Sequence, residues 1–123
     1  MIFVADGDMS VFLGHLVEAG VDGLMFEAPA TPLGAVIEHF GTAGRFFIGG
    51  IATRTLTFGT TDEIRRMVFD LCERAGAHPG FAMASGGGLH GNIPSANLEA
   101  YFDARVEVGA TPAGWRTRCR VGR

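Results

Sequence analysis

Arg45-Phe46-Phe47-Ile48-Gly49-Gly50, then Ile51 to Gly59, then Thr60-Thr61-Asp62-Glu63-Ile64 is the stretch that decides the fold. The first run is apolar, too short for a helix and closed by glycines, so it reads as a buried strand. Ile51 to Gly59 reads as a longer loop. Thr60 to Glu63 has the Thr-x-x-Glu form of a capping box, which satisfies two orphan N–H groups at a helix start. Behind it Ile64, Met67, Val68, Leu71, Cys72 and Ala75 recur at helical spacing, and Gly76 ends the run. A continuously apolar strand followed by an amphipathic helix is the repeating unit of a parallel sheet covered by helices.

The same unit recurs outward from this stretch. Upstream, Gly23-Leu24-Met25-Phe26 reads as a buried strand. Thr31 is placed to cap the next helix and Pro32 to occupy its first position. Leu33, Val36, Ile37 and Phe40 form that helix's apolar face, and Gly41 closes the turn. Ile2 to Ala5 reads as another buried strand. Asp8 and Ser10 offer an N-cap, Phe12, Leu13, Leu16 and Val17 one helix face, and Gly20 a C-terminal stop. Downstream, Phe81-Ala82-Met83-Ala84 reads as the fourth strand. Ser85-Gly86-Gly87-Gly88-Leu89-His90-Gly91-Asn92 is a glycine-rich loop. Pro94-Ser95 opens the last helix, whose expected buried face is Leu98, Tyr101, Phe102 and Val106. The expectation is an α/β domain over residues 1–109 with four consecutive βα units and a parallel sheet. Residues 110–123, with Arg116, Arg118, Arg120 and Arg123 and little periodicity, read as a disordered tail.

Composition agrees with one packed domain. The 123 residues are 47 % hydrophobic and 19 % charged, against about 25 % charged on average, and mean hydropathy is +0.24. The net charge of −3 argues against a nucleic-acid surface. All 10 basic residues are Arg, which excludes chemistry that needs a lysine amine. Cys72 and Cys119 make neither a disulfide framework nor a four-cysteine zinc site; Cys72 reads as a core thiol and Cys119 as an exposed one. Two thiols of this kind suit a reducing, cytoplasmic setting. Neither a signal peptide nor a membrane span is expected, and no His/Cys cluster suggests a metal.

In parallel α/β folds ligands bind at the carboxyl ends of the strands. Those ends deliver Asp6 and Asp8, then Glu27, then Thr53 and Arg54, then Ser85, the glycine run and His90. Asp6 and His90 are the proton-transfer candidates; Glu27, Arg54 and Ser85 the substrate-binding ones. Each has a plainer reading. Asp8 serves as a helix cap. Glu27 pairs with Arg54, or Arg54 anchors its own loop. His90 is simply exposed, as His15, His39 and His78 are expected to be. Arg54 is suited to hold a substrate carboxylate by a bidentate contact, and the glycine run to cradle an anion with backbone N–H groups. It is not a dinucleotide fingerprint.

The stretches Asp6-Gly7-Asp8, Leu16 to Glu27, Ile48 to Arg54 with Phe58 to Ile64, Pro79 to Ala84 and Ile93 to Leu98 together resemble the uroporphyrinogen decarboxylase superfamily, in order, over about residues 2–105. The resemblance implies a (β/α)8 barrel of the TIM type, of which this chain is the C-terminal half, strands five to eight. It implies a carbon–carbon lyase that removes carboxylates from tetrapyrrole acetate arms without a cofactor, active only with the N-terminal half. Relatives that transfer methyl groups from corrinoids use zinc, held by a His and a Cys around the first strand end; here those positions are Val4 and Asp6. Where decarboxylases carry an Asp this chain has Ala52, and their Gly-His-Gly reads Gly86-Gly87-Gly88, with His90 displaced. A non-catalytic half-barrel is the further alternative. Half a barrel leaves apolar strand faces and two sheet edges uncovered, so the missing half or a second copy is the expected partner, alongside a small carboxylate substrate. The expectations are an assembly rather than a monomer, no stoichiometric zinc, and convergence of Asp6, Glu27, Arg54 and His90 on one rim.

Overall fold

The computed structural model describes residues 1–110. Four strands, β1 (Ile2–Val4), β2 (Gly23–Ala28), β3 (Phe46–Ile51) and β4 (Phe81–Met83), form one parallel sheet in the order β1-β2-β3-β4. Between them lie a 3₁₀ turn (Ser10–Phe12) leading into α1 (Leu13–Glu18), then α2 (Leu33–Val36), continued as a π-helical turn (Ile37–Gly41). Next come α3 (Thr53–Phe58) and α4 (Thr61–Ala75), and after β4, α5 (Ser95–Ala110). Right-handed crossovers between sequential parallel strands put all connections on one side of a sheet. The α/β class and the four-stranded parallel sheet are thus as read from the sequence; the sheet is open. The expected tail lies outside the described residues, apart from Ala110 at the end of α5. Among the described residues no helix is long and apolar enough to cross a membrane.

The register sets two rows of side chains. Phe3, Leu24 and Phe47 are paired across the strands with Phe81. Leu24, Phe26, Phe47, Ile51 and Phe81 are buried with Leu13, Val36, Phe40, Ile64 and Val68 in one core. Phe47 stacks obliquely on Phe26, Phe81 and His78. The alternate row, Val4, Met25, Ile48 and Ala82, points to the other side. Among the described residues this side is the more open one, with Ile2 and Val4 51 % and 64 % exposed. The expectation that the first strand is buried is corrected: it is an edge strand with only Phe3 turned to the helices. Two glycines on the open face allow close approaches. A Cβ at Gly23 would lie 2.1 Å from the Phe46 ring, and one at Gly50 1.5 Å from the Ala84 carbonyl oxygen.

The capping box at Thr60 and Glu63 is formed as expected, with Gly76 as C-cap of α4 and Cys72 buried beneath it. Other local readings are corrected. Ile51 to Gly59 is not a loop: Ile51 ends β3 and Thr53–Phe58 is α3. Only one apolar residue there, Leu56, is buried, so the stretch lacks a recognisable helical stripe. Thr31 is not a cap. Pro32 takes that position, while the fully buried Thr31 hydroxyl donates to Gly7 O (2.8 Å) and accepts from Met9 N (3.0 Å). Asp8 caps no helix but closes a turn on Ser10. The second helix ends at Gly41 as expected, its last turn widened to a π turn, and Gly44 in the turn that follows takes the left-handed φ. Phe12 is half exposed, while Leu13 carries the first helix's packing. His15 is exposed as expected, but His39 and His78 are half-buried. On α5 the buried face is Asn97, Tyr101, Ala104 and Val108; Phe102 and Val106 are 51 % and 62 % exposed. Asn97 turns inward because its amide satisfies two backbone carbonyls that an apolar residue would orphan.

Candidate functional site

The carboxyl ends of β2, β3 and β4 meet beneath the glycine-rich loop. After β4 the chain continues along β3, Ala84 N–H donating to Gly49 O (2.9 Å) and Gly86 N–H to Ile51 O (2.9 Å). This carries the loop across the open face, over Glu27. A Cβ at Gly86 would stand 3.0 Å from Glu27 Cγ, and one at Gly87 2.4 Å from Thr53 Oγ1 and 3.8 Å from Glu27 Oε1. Only residues without side chains can lie this close. Ser85 Oγ donates to Gly87 O (2.8 Å), and Thr53 Oγ1 to Gly88 O (3.4 Å), so both hydroxyl protons brace the loop. The Gly86 N–H is committed to the sheet and cannot cradle an anion.

Arg54 rises from the first turn of α3, not from a loop. Its guanidinium lies over the Phe58 ring, 5.6 Å from the centroid, and among the described residues it makes no ion pair. The alternative in which Glu27 neutralises Arg54 is therefore not what the structure shows. Arg54 borders two open clefts. One, of about 490 Å³, also contains Glu27, Pro29, Ala52, Thr55 and Phe58. The other, of about 480 Å³, contains Thr53, Thr57, Phe58, His90 and Asn92. The His90 ring is exposed, and its Nδ1 accepts from the Asn92 N–H (3.3 Å). Arg54 thus joins Glu27 on one side to His90 on the other.

Asp6 follows the edge strand β1, whose register (Val4 opposite Met25) brings its carboxyl end alongside the end of β2 that carries Glu27. It borders neither cleft, and among the described residues it makes no hydrogen bond or ion pair. Glu27, Arg54 and His90 are the expected rim residues that these two clefts bring together. The neighbouring Asp8 accepts from Ser10 Oγ (2.5 Å) and Ser10 N (2.9 Å). The hydroxyl bond chiefly, and the amide bond after it, hold the Asp8 carboxyl below the usual range. Phe58 and Thr57 were not legible as site residues, because their position depends on α3. The spacing of Arg54 and Phe58, i and i+4, was the signal available.

A further cleft of about 540 Å³ lies elsewhere, between α2 and α4, among Leu33, Met67, Leu71, Arg66 and Arg74. It holds none of the candidate catalytic or substrate-binding residues, and its Arg74 pairs with Asp70 (3.4 Å). Among the described residues no group of three His, Cys, Asp or Glu side chains stands close enough together to hold a metal ion.

No curated protein and no solved structure matches the chain. The sequence profile of the family described as Uroporphyrinogen decarboxylase (URO-D) matches residues 1–108. That span takes in all four strands, the glycine-rich loop and Arg54. The chain belongs to the uroporphyrinogen decarboxylase family.

Proposed function

We propose that this chain is the C-terminal half-barrel of a uroporphyrinogen-decarboxylase-like carbon–carbon lyase, supplying one wall of a strand-end site for a tetrapyrrole-type carboxylate. The observation that carries the reading is Arg54. It is a permanent cation, stacked on Phe58, bordering both clefts and paired with no carboxylate among the described residues. A guanidinium so placed is available to a ligand carboxylate. Glu27 and Ser85 line the floor and loop on the substrate side. In decarboxylation the bond to the carboxyl carbon breaks, CO2 leaves, and the electron pair left on carbon takes a proton. His90 stands across the Arg54 cleft as the donor of that proton, with Asp6 as the second candidate. The open sheet, with four strands in sequential order, is consistent with half of an eight-stranded barrel.

Zinc-assisted methyl transfer is the weaker reading. The donor set does not fit, since Val4 has no ligating atom and Asp6 stands alone, whereas catalytic zinc takes about three protein ligands.

The test is a fluorescence titration with an octacarboxylate porphyrin. Hydrogen bonds to charged groups contribute about 1.5–3 kcal/mol, so Arg54→Ala is expected to weaken binding roughly 10- to 100-fold. His15→Ala, on α1 away from the clefts, is expected to leave it unchanged. Equal affinity of wild type and Arg54→Ala overturns the assignment.

A further inference from the structure

The chain carries one side-chain arrangement twice. Arg65 and Phe69 on α4, and Arg54 and Phe58 on α3, stand at i and i+4, where helical side chains meet on one face. In both pairs the guanidinium lies over the ring, 6.0 Å and 5.6 Å from its centroid. Their surroundings differ. Arg65 Nη2 donates to both carboxylate oxygens of Glu107 on α5 (2.9 and 2.7 Å), and Phe69 is 38 % exposed. The packing of α4 on α5 thus supplies that cation with its carboxylate. Arg54 pairs with no carboxylate among the described residues, and Phe58 is 78 % exposed. The second pair is the first without its carboxylate and with its ring in the open.

The fold holds Phe58 in that place. Leu56 is fully buried, and two steps of about 100° carry Phe58 round to the outer side of α3. The buried Asn97 donates to Leu56 O (2.8 Å) and Gly59 O (2.9 Å), which fixes the backbone on both sides of the ring. Gly59 N–H donates to Thr55 O (2.8 Å). Gly59 lies so close to that carbonyl that a Cβ would stand 2.6 Å from it. The ring therefore has a fixed anchor, and it borders both clefts that Arg54 borders. The guanidinium takes one face of the ring, and the high exposure leaves the other face to a ligand.

We propose that Phe58 is a specificity-determining residue of this site, stacking on a planar unsaturated ring while Arg54 holds a carboxylate that the ring bears. The site then prefers carboxylates borne on aromatic or heteroaromatic rings to those borne on saturated carbon. One ligand of this class supplies both things that the pair lacks. Two aromatic rings gain from their π quadrupoles beyond the area they bury, when offset-stacked or edge to face. A saturated ring is puckered and has no such quadrupole, so it keeps the bond to Arg54 and loses the stacking. The proposal rests on Arg54 as the carboxylate anchor argued above and adds the ring.

The test titrates the full chain with two ligands of equal charge and carboxylate number, benzenetricarboxylate and all-cis cyclohexanetricarboxylate, at a pH where every carboxyl is ionised. The aromatic acid should bind about 2- to 10-fold tighter, the contribution of one aromatic pair. Phe58→Leu, which keeps an apolar side chain at an exposed position, should bring the two affinities together by weakening the aromatic acid alone. Phe58→Tyr should restore the preference, and Phe69→Leu should leave it unchanged. In NMR spectra the aromatic acid should move the Phe58 ring protons upfield and the saturated acid should not, a signature that a merely structural ring would lack. Equal affinities for the wild type, or a preference that survives Phe58→Leu, overturns the proposal. So does a Phe58→Leu variant that weakens both acids alike, since the ring then only positions Arg54. If the preference depends on Phe58 while Arg54→Ala leaves both acids bound as before, the stacking stands and the Arg54 reading falls. If Arg54→Ala weakens both acids and no preference exists, the reverse holds. Binding of neither acid overturns both.

Discussion

Asn97 joins the last helix to the element that carries Arg54, and replacing it tests whether α3 is held in place from outside. The side chain is 6 % exposed, and its Nδ2 donates to Leu56 O (2.8 Å) and Gly59 O (2.9 Å), the carbonyls at the end of α3. Asn97→Ala removes both bonds. Each neutral hydrogen bond contributes about 0.5–1.5 kcal/mol net, and a carbonyl left buried without a partner costs about 1–3 kcal/mol more. Leu56 O is the buried one of the two; Gly59 O recovers water more easily. The expected loss is therefore about 2–4 kcal/mol, against less than about 0.5 kcal/mol for Glu99→Ala on the exposed face of the same helix. Urea denaturation at one fixed protein concentration reads the difference as a lower midpoint at unchanged slope. Asn97→Asp adds a sign. Its carboxyl would face two carbonyl oxygens, which raises the folded-state pKa. Stability is then fullest below the unfolded value of about 3.9 and is lost as pH rises through the folded one. Equal midpoints for Asn97→Ala and Glu99→Ala would refute the reasoning. So would an Asn97→Asp variant that gains stability with rising pH.

Three further outcomes are expected. Thr31→Val, nearly isosteric, removes the bonds to Gly7 O and Met9 N in a fully buried position; it should cost about 1–3 kcal/mol and speed hydrogen exchange at the Met9 amide, and unchanged exchange would count against the loop anchor. Gly50→Ala places a methyl on the Ala84 carbonyl and should destabilise by about 3 kcal/mol or more, displacing the glycine-rich loop; a wild-type melting temperature would show that the loop gives way freely. Ser10→Ala removes the chief cause of the lowered Asp8 pKa, so a carboxyl titration followed by NMR should move up toward the ordinary value. Asp8's contribution to stability is present above about pH 3.9 and lost as pH falls through its lowered folded value, and this acid-side loss should shrink in the variant.

What the sequence determined was the repeating unit. Period-3.6 stripes, short apolar runs and glycine stops are set by residues close in the chain, so the four strands, α4 with its capping box, and the burial of Cys72 were all legible. Placement of Glu27, Arg54, Ser85 and His90 near strand ends was legible too, because parallel connection sends every such loop to one side. What the sequence left open depends on contacts between distant segments. Helix α3 has too few apolar residues to declare itself and owes its closure to Asn97, some forty residues on. Thr31 looks like a cap in isolation and becomes a buried brace only when the Gly7–Met9 loop packs on it. The apolar residues of α5 named a helix but not its inward face. Satisfying buried carbonyls turned Asn97 in and left Phe102 and Val106 out. Asp6 sits at a strand end like the others, yet strand order puts it on an edge, and it borders neither of the Arg54 clefts. Local periodicity decides which elements form; which faces meet is decided by packing and by the satisfaction of buried polar groups, both properties of the assembled fold.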